Sequence, residues 1–320
     1  MSPITFVICT ERGILEPMSV TLVRSLRRFG GVLKDAPVLS YQPRREHGVS
    51  PETLRALEQL EVIHYTEPLN QRYAHYPQGN KPPVCAHAEQ IATTEFVVFL
   101  DSDIVVLNEP RALLLPAAQH IGLRPVDKVG VATTGPSDGN YAYWQGMYRL
   151  LEVDESLVGR VDTTVERQTI HAYYNSGVMS ARRSSGIFAQ WNNNFERVMD
   201  AHLKPKQGMF HTDQTTLAAT LAQQQTPLEV LPATYNYPFH LHEQLPATVR
   251  INTLKEATLL HYHKALHRQE SKAQLAQFEG DEQQQWLIDQ VDYLRTVMPS
   301  SPHWQEPFRS IITKLTGWLR

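Results

Sequence analysis

Unbroken apolar runs of strand length alternate with amphipathic stretches through the first third of the chain. Residues 4–9 read as a buried strand, residues 10–13 as a polar turn, and residues 16–29 as a helix. In that helix Met18, Leu22, Leu26 and Phe29 share one face. Arg24, Arg27 and Arg28 sit near its end, where cations suit the helix dipole, and Gly30-Gly31 stops it. Residues 37–41 predict a second strand, 51–60 a second helix, 61–65 a third strand and 83–94 a further helix. The run from Phe96 to Val106 follows, predicted as one continuous apolar strand that delivers Asp101 and Asp103 to its edge. Strands alternating with helices argue a doubly wound, parallel α/β sheet.

The middle of the chain is less regular. Residues 121–131 hold one or two short strands, 135–140 a turn cluster and 141–153 a helix. Extended chain is expected over 163–182, helices over 187–202 and 213–224, and short strands over 228–231 and 258–263. From about residue 270 the character changes. Asp281 can cap a helix whose Trp286, Leu287, Val291, Leu294 and Met298 share a face, and Pro299 and Pro302 break it. A last helix would align Phe308, Ile311, Ile312, Leu315, Trp318 and Leu319, flanked by Arg309, Lys314 and Arg320. It either docks on the domain or lies as a basic amphipathic helix at a membrane surface.

At 320 residues the chain can bury a full core as one large α/β domain or two small ones. A formal charge of −3 offers no basic field for a nucleic acid, so phosphate recognition has to be local. Cys9 and Cys85 have no metal-type spacing and read as reduced, buried thiols. The first apolar run has no basic leader, and no segment approaches transmembrane length. These features predict a cytoplasmic protein, with peripheral contact to the inner face of the membrane open through the last helix.

Asp101 and Asp103 lie where ligands of open α/β sheets collect. Paired hard oxygens there suit Mg²⁺ or Mn²⁺ bridging the phosphates of a nucleotide; two solvated aspartates at a turn are the plainer reading. Either His261 or His263 can complete a metal site, and imidazole beside carboxylate favours Mn²⁺. His240 and His242 raise a four-histidine zinc site, although no H-E-x-x-H pattern accompanies them. Lys264, His267 and Arg268 place cations where a diphosphate leaving group develops charge, or form an ordinary basic turn. Lys81 opens a helix, which makes a phosphate or ribose site or a plain loop lysine. Tyr141, Tyr143, Trp144 and Tyr148 give either a stacking surface for an acceptor sugar or a helix packed on the core.

The segments Phe99-Leu100-Asp101-Ser102-Asp103, Asn175-Ser176-Gly177-Val178-Met179, Asp213-Gln214, Leu231-Pro232-Ala233-Thr234-Tyr235-Asn236 and His261-Tyr262 occur in a telling order. Together they resemble GT-A-fold glycosyltransferases, most of all glycosyltransferase family 8, the glycogenin and bacterial lipooligosaccharide galactosyltransferase type. The resemblance spans residues 4–268. It implies a single GT-A, Rossmann-like domain over 1–269 with a mostly parallel central sheet flanked by helices, plus a helical C-terminal extension over 270–320. It further implies a metal pair of Asp101 and Asp103 with His261, Asp101 also touching the ribose, and Thr10 by the base. Asn175 and Gly177 would line the sugar pocket. Asp213 and Gln214 would be the catalytic pair, the first orienting hydroxyls and the second near the anomeric carbon.

The family's final motif departs here: no glycine follows His261-Tyr262 and no proline-tryptophan pair comes after. His267 stands where the family places its diphosphate-binding lysine, so Lys264 or Arg268 takes that role. The implied reaction moves a hexose from a nucleoside diphosphate sugar, a UDP-sugar foremost, to a glycan or other hydroxyl acceptor. The expected cofactor is Mn²⁺ or Mg²⁺ and the expected outcome retention, although Asp213 as a general base would serve inversion. The alternatives are a binding protein that has lost turnover and a haloacid dehalogenase-type phosphatase. In the latter the motif continues with glycine or threonine, where this chain has Ile104-Val105-Val106.

Overall fold

The computed structural model describes residues 2–206, 208–263, 265–267 and 271–297. The strands are β1 Ile4–Cys9, β2 Val38–Tyr41, β3 Val62–Tyr65, β4 Phe96–Leu100, β5 Ile104–Val106 and β6 Ile121–Pro125, then β7 Arg160–Asp162, β8 Thr169–His171, β9 Tyr174–Arg182, β10 Leu228–Val230, β11 Tyr237–Pro238 and β12 Leu259–His261. The helices are α1 Leu15–Phe29, α2 Pro51–Gln59, α3 Lys81–Ile91, α4 Tyr141–Leu151, α5 Ile187–Asp200, α6 Thr212–Gln223, α7 Ser271–Leu275 and α8 Glu282–Val297.

Period-two alternation in β1 and β4 serves two apolar faces at once. Ile4, Phe6, Ile8, Phe96, Val98 and Leu100 pack under α1 and α2, against residues such as Val23, Leu26 and Leu57. Val7, Cys9, Val97 and Phe99 point the other way, toward Val84 and Cys85 of α3, Trp191 of α5 and Leu217 of α6. A sheet covered on both sides leaves no room for charged side chains in these two central strands, and the chemistry gathers at its end.

The main sheet has seven strands in the order β10-β6-β9-β4-β1-β2-β3. All neighbours run parallel except at β9, which lies antiparallel to both β4 and β6. That one reversal matters for function. It brings the N-terminal residues of β9, Asn175 to Gly177, to the edge where the parallel strands end.

The aspartate run is not the single continuous strand that its hydrophobicity predicts. β4 stops at Leu100, the chain turns through Asp101–Asp103, and β5 joins a second, three-stranded sheet in the order β11-β12-β5. The turn is pinned by four hydrogen bonds. The Asp101 N–H donates to Gly177 O (2.8 Å) and the Ile104 N–H to Asp101 O (3.0 Å). The Ser102 hydroxyl donates to Cys9 O (2.6 Å) and the Tyr262 N–H to Asp103 O (3.1 Å). With its backbone groups satisfied in this way, the turn can hold two carboxylates at the junction of two sheets.

Beyond the second sheet, α8 lays Trp286, Leu287, Val291 and Leu294 into a core shared with Val105 and Leu260. Asp281 accepts the Gln284 N–H (2.7 Å), the cap that the sequence indicates. Met298 and the last amphipathic helix, with its expected membrane contact, lie outside the described residues. No helix among the described residues is long and apolar enough to cross a membrane. Cys9 and Cys85 are free and buried. Tyr143, Trp144 and Tyr148 of α4 are buried in a core of their own, so for these three the helix-packing reading prevails over the sugar-stacking one, while Tyr141 is half-buried.

Candidate active site

β-sheet register builds the site. β12 runs antiparallel to β5 and pairs His261 with Ile104, which sets His261 beside Asp103. His261 Nε2 lies 3.1 Å from Asp103 Oδ1. The other ring nitrogen, Nδ1, lies 2.6 Å from Asn236 Oδ1. Asn236 in turn donates from Nδ2 to Asn175 Oδ1 (2.8 Å), which also accepts the Gly177 N–H (2.7 Å). This chain of bonds leaves Asn236 Oδ1 as an acceptor, so His261 Nδ1 carries the proton and Nε2 is turned to the carboxylate. A histidine whose second nitrogen is spent on a polar partner is the arrangement that metal-ligating histidines adopt.

His263 Nδ1 lies 3.5 Å from Asp103 Oδ2. Ligand atoms of Asp103, His261 and His263 all fall within 4.8 Å of one another. One carboxylate and two imidazoles gathered this closely are a donor set that a divalent transition metal takes, so the residues fit a metal. His240 packs its ring against His263 at 4.1 Å between centroids, while His242 turns away to Tyr237 OH (2.7 Å). The four-histidine zinc cluster is therefore not assembled.

Asp101 is held differently. Lys81, in the first turn of α3, reaches both its carboxylate oxygens at 2.9 Å and the Ser176 hydroxyl at 3.2 Å. Burial works against the Lys81 ammonium, but Asp101, Asp213 and Asp103 outweigh it and raise its pKa above the ordinary lysine value. Burial likewise disfavours the Asp103 carboxylate, yet His261 and His263 hold it well below the usual range. The same pairing raises His261 against the pull of its own burial.

Gly177 forms the floor. A Cβ there would stand 2.8 Å from His261 Cε1, 2.9 Å from Asn175 Oδ1 and 3.0 Å from Asp101 Oδ2. No side chain fits without moving one of those three groups. Asp213 and Gln214 come from the first turn of α6. Tyr76 donates its hydroxyl to Asp213 Oδ1 (2.8 Å), and Asp213 Oδ2 accepts from Ser176 Oγ (3.3 Å). Burial raises the Asp213 pKa, and Lys81 and the Tyr76 hydroxyl act against that rise. Gln214 is clamped at both ends of its amide: Oε1 accepts the Ser176 N–H (3.1 Å) and Nε2 donates to Tyr173 OH (2.5 Å).

The structure thus brings Lys81, Asp101, Asp103, Asn175, Gly177, Asp213, Gln214 and His261 to one edge. Thr10 follows β1 directly but is fully buried, its hydroxyl accepting from Ser40 (2.8 Å). Lys264 and Arg268 lie outside the described residues. Sequence reasoning missed Tyr76 and Tyr173, whose role depends on helix and strand ends meeting. It also missed Asp127, which follows β6 where Arg124 pairs with Asn175. Burial raises the Asp127 pKa, while the nearby Arg124, His261 and His263 lower it. No spacing rule marks a lone aspartate so far from its partners.

A mostly parallel α/β sheet with a carboxylate turn at its edge and a histidine returned from a second small sheet defines a GT-A-type glycosyltransferase. The bifunctional glycosyltransferase WbbM shares this fold, with a TM-score of 0.54 at 14% identity over 90% of this chain and 52% of its own. The present chain therefore spans about half of that protein. An active-site mutant of LgtC has a TM-score of 0.50 at 13% identity over 95% of this chain and 99% of its own. No curated protein matches. Residues 6–225 match the Rhodobacterales glycosyltransferase domain, and the chain belongs to that family.

Proposed function

We propose that this glycosyltransferase moves a hexose from a nucleoside diphosphate sugar, foremost a uridine diphosphate sugar, to a hydroxyl of a glycan or other acceptor. Retention at the anomeric carbon and dependence on Mn²⁺ or Mg²⁺ are part of the proposal. The observation that carries it is the meeting of Lys81–Asp101, Asp103–His261 and Asp213–Gln214 at one sheet edge. The phosphatase alternative leaves the last two pairs without a task.

Asp103 and His261 would hold the metal, with Asp101 beside them. When bound, it supplies positive charge to the diphosphate as the leaving group departs. Lys81, held on Asp101, adds a fixed cation beside the place a diphosphate would take. Asn175 and Gly177 would line the sugar pocket, and Thr10 would border the base through its backbone. Asp213 would orient a sugar or acceptor hydroxyl through its carboxylate. Gln214, immobilised by Ser176 and Tyr173, would hold its carbonyl near the anomeric carbon. Lys264 and Arg268 are assigned to the diphosphate on sequence grounds. The catalytic domain is assigned to residues 1–269 and a helical extension to 270–320, in a cytoplasmic setting.

A thermal-shift screen of nucleoside diphosphates and their sugars, each with and without Mn²⁺, tests this reading. A ligand that binds only the folded state raises Tm by mass action. A Mn²⁺-dependent rise with one diphosphate, lost in Asp103→Ala, is the expected result. No shift with any nucleotide would overturn it. Release of free hexose from the donor distinguishes an enzyme from a binding protein that has lost turnover.

A further inference from the structure

His261 and His263 approach one carboxylate from two directions, and the backbone goes out of its way to let them. Residues two apart on a regular strand share a face but stand about 6.6–6.8 Å apart along the chain. Here the two imidazole rings stack with centroids 3.8 Å apart and planes 28° apart. The chain leaves β12 after His261, and His263 adopts a φ of +48°, in the left-handed region that few residues other than glycine enter. That turn folds the second ring back over the first, and the edge of His240 backs it at 4.1 Å.

We infer that His263 is a direct ligand of the divalent ion, adding a second imidazole nitrogen to Asp103 and His261, and that this makes the site selective for Mn²⁺, Co²⁺ or Zn²⁺ over Mg²⁺. The inference rests on the metal-dependent reading above and goes beyond it in ligand set and selectivity. Its ground is the cluster of Asp103 Oδ1, Asp103 Oδ2 and the two nitrogens, at 3.1 Å for His261 and 3.5 Å for His263. Mg²⁺ demands a near-octahedral oxygen shell and retains its waters, so each imidazole in the set counts against it. Nitrogen donors favour the later divalent metals, with affinity rising from Mn²⁺ through Co²⁺. Asp101, bridged on both oxygens by Lys81, has less to give an ion than a carboxylate without a cation partner, which makes the second nitrogen more consequential.

The test is electron spin-echo spectroscopy of Mn²⁺ on the full chain, with and without uridine diphosphate, beside calorimetric titrations with Mn²⁺, Co²⁺ and Mg²⁺. The wild type is expected to show two directly bound nitrogens, and His263→Phe, which keeps a ring on the stack, one. Affinity for Co²⁺ and Mn²⁺ should fall at least as far as when a supporting residue around a metal site is lost, about 10- to 100-fold, with Mg²⁺ changed much less. His263→Gly, which relieves the left-handed backbone, should behave alike; should neither variant fold, the wild-type nitrogen count decides. One bound nitrogen in the wild type, unchanged in His263→Phe, overturns the inference and leaves the metal-dependent reading standing. No Mn²⁺ signal in the wild type even with the diphosphate overturns both.

Discussion

Asn236 Oδ1 sits 2.6 Å from His261 Nδ1, and that contact settles which nitrogen of the ring faces Asp103. Asn236 holds this position from a left-handed backbone, φ +58°, with its amide nitrogen committed to Asn175. Replacing it by glycine keeps the backbone accessible and removes only the side chain. Asn236→Gly should therefore fold, free the His261 tautomer, and weaken metal dependence. Loss of such an orienting partner typically costs about 10- to 100-fold in metal affinity or activity. Turnover measured against Mn²⁺ concentration checks this; a curve identical to the wild type would refute it.

Gly177→Ala should damage catalysis without unfolding the protein. Its Cβ would lie within 3.0 Å of His261, Asn175 and Asp101 together, so at least one has to shift. A displacement approaching 1 Å in a catalytic group can cost about 100-fold in rate. A fall in kcat of that order with an unchanged far-UV circular dichroism spectrum is the expected pair of observations.

Tyr76→Phe removes the hydroxyl that donates to Asp213 Oδ1. That bond lowers an Asp213 pKa which burial raises, so its loss moves the pKa further up. If Asp213 works as the carboxylate, the acid limb of kcat against pH shifts to higher pH in the variant. The stability lost with a single hydrogen bond is about 1 kcal/mol. An unmoved acid limb would remove Asp213 from the set of groups that must ionise.

Glu16 gives a prediction about stability rather than catalysis. Its carboxylate accepts the Gly13 N–H (2.8 Å) and the Ser50 N–H (2.6 Å), tying the start of α1 to the residue that caps α2. Burial raises its pKa, but those hydrogen bonds prevail and hold it below the ordinary value of 4.5. A depressed folded-state pKa stabilises the protein fully above 4.5, and the contribution is lost as pH falls through the folded value. The stability gap between wild type and Glu16→Gln should accordingly be open at neutral pH and close on acidification below 4.5. Denaturant titrations across that range measure it.

Much of this was legible in the chain by itself. The apolar run Ile4, Phe6, Val7, Ile8 and Cys9 declares a strand buried on both faces, because a half-exposed strand would alternate polar with apolar residues. Asp101 and Asp103 at the end of an apolar run mark the sheet edge for the same reason, and short motifs in order point to the glycosyltransferase class. Helix boundaries followed from Gly30 and Asp281, since capping is a local matter.

What tertiary structure alone decided is every relationship between segments far apart in sequence. Apolar residues resume at Ile104 straight after Asp101–Asp103, yet the chain changes sheets there, because the pairing partners of β4 and β5 lie elsewhere in the chain. Thr10, which the resemblance set by the base, is buried with its hydroxyl bonded to Ser40, a partner 30 positions away. Tyr143, Trp144 and Tyr148 read as sugar platform or core, the core reading ahead, and packing against the rest of the domain made them core. His261 reaches Asp103 across 158 positions through the β5–β12 register, and Tyr76 reaches Asp213 across 137 because the segment before α3 meets the first turn of α6. Local periodicity encodes which face a residue takes; which partner waits on that face is set by long-range pairing that no local pattern records.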